Sequence, residues 1–138
     1  MAVGIQFWYY WYKVGMGDFL YSFFSTICCN LENGQWGSMY PHVMKELYSE
    51  KLKWQDIKFA RDELKEIQRR LKEFPPDKVV WNFEDLTANP PWGDSISVEI
   101  TDLSNYFVTS DGRNLISLLF EVFDEAEKRK EDIEIVSV

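Results

Sequence analysis

Several stretches of the chain repeat their apolar residues at threes and fours, the spacing of a helix packed on a core. Phe19, Leu20, Phe23, Phe24 and Ile27 follow it and predict a helix running from Asp18, as N-cap, to about Asn30. Ile57, Ala60, Leu64, Ile67 and Leu71 predict a second over about 54–73, where Glu66 can pair with Arg69 or Arg70 and Pro75-Pro76 stops the helix sharply. Leu115, Leu118, Leu119, Val122, Phe123 and Ala126 mark a third, capped by Ser110 or Asp111 and reaching about Lys130. A shorter helix over about 41–50 opens at Pro41, a residue suited to a first turn, with Val43, Met44, Leu47 and Tyr48 on its apolar side.

Other stretches lack that period. Residues 3–13 (VGIQFWYYWYK) are a nearly unbroken run of β-branched and aromatic residues ended by Gly15 and Gly17. They predict one strand, either central and covered on both faces or an edge with an aromatic face turned to a partner. VVWNF at 79–83 and NYFVT at 105–109 read as short strands, and DIEIVSV at 132–138 alternates as a half-buried strand does. Asn33-Gly34 is a turn pair within the loop 33–38. Residues 84–98, with Pro90-Pro91 and Gly93, form an ordered loop, long enough for function to be expected of it. The order is β-α-α-α-β-β-α-β. It predicts an α+β fold with a small mixed or antiparallel sheet packed against about four helices, in one domain spanning 1–138.

The composition adds a core and a charge. Of the 138 residues, 46% are apolar and 17% aromatic, enough to exclude a wholly disordered chain. The net charge of −8 argues against a nucleic-acid surface. No stretch is long and apolar enough for a membrane span, and the N-terminal segment lacks the basic region and cleavage site of a signal peptide, so a cytoplasmic address is expected. Vicinal Cys28 and Cys29 fit two buried thiols in a reducing compartment.

Charge is unevenly distributed. Residues 75–138 carry a net −9, whereas 45–74 carry +2. From Val79 to Gly112 there is no Lys or Arg, yet Glu84, Asp85, Asp94, Glu99, Asp102 and Asp111 occur among Trp81, Phe83, Trp92, Tyr106 and Phe107. Acidic groups interleaved with aromatics suit capture of a basic protein, since charge steers the encounter and buried rings hold it. A solvated acidic face is the plainer reading of the same residues.

The remaining chemistry is sparse. His42 is the sole histidine, with no nucleophile at a diagnostic spacing and no CxxC to complete a metal site, so no metal site is expected. The carboxylates of Asp94 and Asp111, beside glycines in loops, are the remaining candidates for acid–base chemistry. Cys28 and Cys29 lie toward a helix C-terminus without neighbouring cations, a poor setting for a thiolate. SDGRNL at 110–115 lacks the phosphate-loop pattern.

Taken together, GDFLYSFFSTI (17–27), WGSMYP (36–41), FPPDKVVWNFEDL (74–86), PPWGDSIS (90–97) and LSNYFVTSDGRNL (103–115) resemble the immunity protein 70 family of bacterial polymorphic-toxin systems. The resemblance implies a non-catalytic cytosolic protein, encoded beside a toxin, that binds the cognate toxin domain and blocks it. The acidic residues add the expectation that this partner has a basic surface, and stoichiometric occlusion is the leading expectation for how it is neutralised. The resemblance implies no cofactor, and it identifies no binding residues. Those come from the acidic–aromatic pattern, which points to Trp36, Glu84, Asp85, Trp92, Asp94 and Asp111 as the partner surface. A regulatory adaptor using the same face is the alternative, and a small hydrolase built on loop carboxylates the third. An exposed first strand can also pair across a two-fold axis to give a homodimer.

Overall fold

The computed structural model describes residues 2–137. The aromatic run at the N-terminus is two strands and not one. β1 (Ala2–Phe7) and β2 (Tyr10–Met16) form an antiparallel hairpin that reverses at Trp8-Tyr9. Trp8 takes a left-handed φ of 53°, uncommon for a non-glycine residue, and no Gly, Asn or Asp marks the turn. The sheet order is β2-β1-β3, so β1 is central and β2 is an edge. Both expected positions for the aromatic strand therefore occur, each in one arm of the hairpin.

Ile5, Phe7 and Val14 are buried, and Phe7 stacks on Tyr12 at 5.9 Å. Gly4 sits where the β1–β2 register shifts. The Trp11 ring lies across it, and a Cβ there would come within 2.6 Å of the Tyr12 carbonyl oxygen. The Trp11 indole passes over this gap to donate to the Val136 carbonyl (3.2 Å). Gly4 is thus small because an indole crosses the strand.

Helix α1 (Gly17–Leu31) has Met16 as its N-cap, without a side-chain cap. Asp18 lies just inside the first turn, where it complements the helix dipole but does not cap. Leu20, Phe23, Phe24 and Ile27 are buried, whereas Phe19 is half-buried. Asn33 and Gly34 both adopt positive φ in the expected turn. Glu32, 2% exposed, folds the next loop by accepting from the amides of Gly37, Met39 and Tyr40 at 2.9–3.0 Å. The segment 41–49 is helical, but its centre, His42–Leu47, is a π-helix that buries Val43, Met44 and Leu47.

A 3-10 turn, Trp54–Asp56, leads into α2 (Ile57–Leu71). All five apolar positions expected of α2 are fully buried. Glu66 and Arg70 do not pair directly. Arg70 donates to the Tyr40 hydroxyl (2.7 Å), which donates to Glu66 (2.6 Å). Helix α3 (Leu115–Arg129) is capped by Asn114, whose side chain accepts from the Ser117 amide (3.0 Å), and not by Ser110 or Asp111. β3 (Glu134–Ser137) pairs antiparallel with β1. Of its expected span, Val138 lies outside the described residues.

Two expected strands are absent. Residues 79–83 have no strand partner, and in 105–109 a single bridge, Val108–Asn114, replaces a ladder. The sheet is three-stranded and antiparallel, and with its helices gives the expected α+β class.

Candidate partner interface

The missing strand 79–83 explains how the long loop is held. Backbone groups near the core must find partners, and here α1 supplies them through hydroxyls. The Val80 amide donates to Thr26 Oγ1 (3.0 Å). The Val80 carbonyl accepts from Ser22 (2.8 Å) and Thr26 (3.2 Å). The Phe83 amide donates to Ser25 Oγ (3.1 Å), and the Asn30 side chain donates to the Lys78 carbonyl (2.9 Å). Ser22, Ser25 and Thr26 are fully buried, so one helix face acts as the missing neighbour strand.

Beyond Phe83 the chain turns repeatedly on its own side chains. Asp85 accepts from the Thr87 amide and hydroxyl, and Asp102 from the Ser104 amide and hydroxyl. Asn105 accepts from the amides of Thr101 and Asp102. Such Asx turns order a loop without regular structure. The Thr87 hydroxyl and amide hold the Asp85 carboxyl below its usual range. Burial opposes this at Asp102, but the Ser104 bonds outweigh it and that carboxyl is lowered too.

The six candidate residues fall into separate groups. Trp36 is half-buried, its indole donating to the Met44 carbonyl inside the π-helix (2.8 Å). It packs on Tyr21, Tyr48 and Phe83 at 5.4–5.9 Å. Glu84 joins this cluster by accepting from the Tyr21 hydroxyl (2.9 Å). Burial first, and Glu84 second, push Tyr21 up to about 12. Trp36 and Glu84 therefore line one shallow depression, with Asp85 exposed on the adjoining turn.

Trp92 and Asp94 form the second group. The Trp92 indole donates to the Tyr106 hydroxyl (2.9 Å) and meets Trp81 edge-on at 5.4 Å, leaving the residue 38% exposed. Asp94 is exposed at the rim of a cavity of about 620 Å³ that Tyr106 also lines. Burial raises Tyr106, and the Asp94 charge adds to the shift against the Trp92 bond.

Asp111 belongs to neither group. It sits in a depression with Lys13 and Arg113 near β2, so the cation-free stretch of sequence is not cation-free there in space. Among the described residues, none of Glu84, Asp85, Asp94 and Asp111 forms an ion pair.

Three features escaped the sequence reading. The hairpin tip exposes Trp8, Tyr9 and Tyr10, with the Arg129 guanidinium 5.1–5.2 Å above the rings of Trp8 and Tyr10. Asp77 joins Asp94 at the cavity. His42, Glu46 and Asp56 bring ligand atoms within 4.8 Å of one another, close enough to share a metal ion, and His42 Nδ1 already lies 2.8 Å from Glu46. The i,i+4 spacing of His42 and Glu46 was visible, but Asp56 arrives from another element. Both thiols are held toward the protonated form: burial pushes Cys28 up to about 12 and raises Cys29, which is half-buried and not buried as expected.

A family model described as immunity protein 70 matches residues 5–135, from β1 through β3. The chain belongs to the immunity protein 70 family. No curated protein and no solved structure matches it. The match spans both aromatic groups and every helix. Membership of an immunity-protein family implies a toxin partner in general terms. Among the described residues, no helix is long and apolar enough to cross a membrane.

Proposed function

We propose that this immunity protein 70 member binds a toxin domain encoded beside it, in the cytosol of the producing cell, and neutralises it by occlusion rather than by catalysis. The observation that carries this reading is the loop face of 79–94. Its rings are ordered by packing and hydrogen bonds, while Glu84, Asp85 and Asp94 have no cationic partners among the described residues. Rigid rings beside uncompensated carboxylates favour a basic partner, with charge setting the on-rate and the rings the residence time. The displaced loop carboxyls, Asp85 and Asp102, are both shifted downward. That suits a fixed negative surface and not a general acid, which needs a pKa near the working pH.

Co-expression with the neighbouring gene product tests the proposal. The expected outcome is a complex of fixed stoichiometry and rescue of growth. Free toxin activity in the presence of folded, equimolar immunity protein contradicts it.

A further inference from the structure

We infer that the 620 Å³ cavity beside Trp92 is the seat of an arginine side chain of the toxin. This deepens the occlusion reading and rests on it. Three prolines, Pro75, Pro76 and Pro90, wall the cavity, and Asp77 and Asp94 also line it. Its volume falls within the range of about 300–1,000 Å³ typical of sites that enclose a ligand. Proline walls have few conformations to lose on binding, so the site is preorganised.

Tyr106 contributes a buried polar end. It is 5% exposed, and its oxygen accepts from the Trp92 indole at 2.9 Å. One lone pair remains on that oxygen, and its own proton has no acceptor among the described residues. Asp77 and Asp94 form no ion pair among those residues either. A planar guanidinium meets this combination better than an ammonium does. It stacks on flat apolar walls and presents five donors, as many as two carboxylates and a hydroxyl oxygen call for.

The test is a double-mutant cycle on the complex. Immunity protein carrying Asp77→Asn and Asp94→Asn, with its melting temperature checked, is titrated against the toxin domain and against variants in which each toxin surface arginine becomes Gln. The expected result is that the Asn pair weakens binding at least about 30-fold. One toxin arginine should account for most of that loss, its own replacement having little further effect in the Asn background. The inference is overturned if the Asn pair leaves affinity unchanged, or if no arginine couples to it. If Trp36→Ala with Glu84→Gln still weakens binding in that case, the toxin-binding face stands and the cavity assignment falls alone. Absence of binding by the unaltered protein removes both.

Discussion

Two surfaces of this molecule are rich in aromatic rings, and they differ in how the charges beside them are met. At the hairpin tip, Trp8 and Tyr10 lie under Arg129 of α3, so the electron-rich ring faces meet a cation from the same chain. Along the loop, Trp92 and Phe83 are ordered by contacts with Tyr106, Trp81 and Trp36, yet the carboxylates beside them have no counter-ion among the described residues. An aromatic cluster alone does not distinguish an interface from a structural corner. On the proposed function, the unmatched charge next to it marks the interface, because that charge is stabilised when an oppositely charged partner arrives.

The largest effect expected of a single change is at the base of the hairpin. Gly4→Ala drives a methyl group into the Trp11 ring and the Tyr12 carbonyl and should destabilise by about 2–3 kcal/mol, measured by urea unfolding. Toxin affinity of the folded fraction should not change, which separates the tip from the loop. Next is the loop's anchor. Thr26→Val keeps the shape but orphans the Val80 amide and should cost about 1–2 kcal/mol. It should also speed hydrogen exchange in 79–84 and, unlike Gly4→Ala, weaken toxin binding.

Smaller effects probe the charges. Arg129→Gln removes the cation over Trp8 and Tyr10, and a loss of about 0.5–1 kcal/mol is expected, with a change in Trp8 fluorescence. The smallest concerns His42. Burial alone would lower its pKa, but the hydrogen bond and charge of Glu46 outweigh this and the value is raised. A raised folded pKa means that the pair's contribution is fully present below the ordinary value of 6.5 and is lost as pH rises through the folded value. Glu46→Gln should therefore destabilise by about 0.3–0.5 kcal/mol at pH 5.5 and by almost nothing at pH 9, followed by chemical unfolding at both.

The helices were legible because their cores repeat at 3.6. Every apolar position expected of α2 and α3 is buried. The strands were less so. β-propensity describes a half-buried extended segment and not its partner. VVWNF has strand-forming residues but no strand partner, and its hydrogen bonds go to hydroxyls of Ser22, Ser25 and Thr26, more than fifty residues earlier. The hairpin was hidden by a turn of two aromatics, a pair that no turn preference flags. Of the candidate site, the loop's lack of cations was readable along the chain. That Trp36 is pinned to the Met44 carbonyl, and that Lys13 comes close to Asp111, depends on tertiary contacts with no sequence period.

The central claim is that the loop face, and not the hairpin tip, holds the toxin. The most direct measurement compares the affinity of the neighbouring gene's toxin domain for two folded variants, Trp92→Ala with Asp94→Ala and Trp8→Ala with Tyr9→Ala. The loop variant should lose at least about 30-fold, roughly 2 kcal/mol, while the tip variant stays within about twofold of the parent protein. Full affinity in the loop variant, or its loss in the tip variant, would contradict the account.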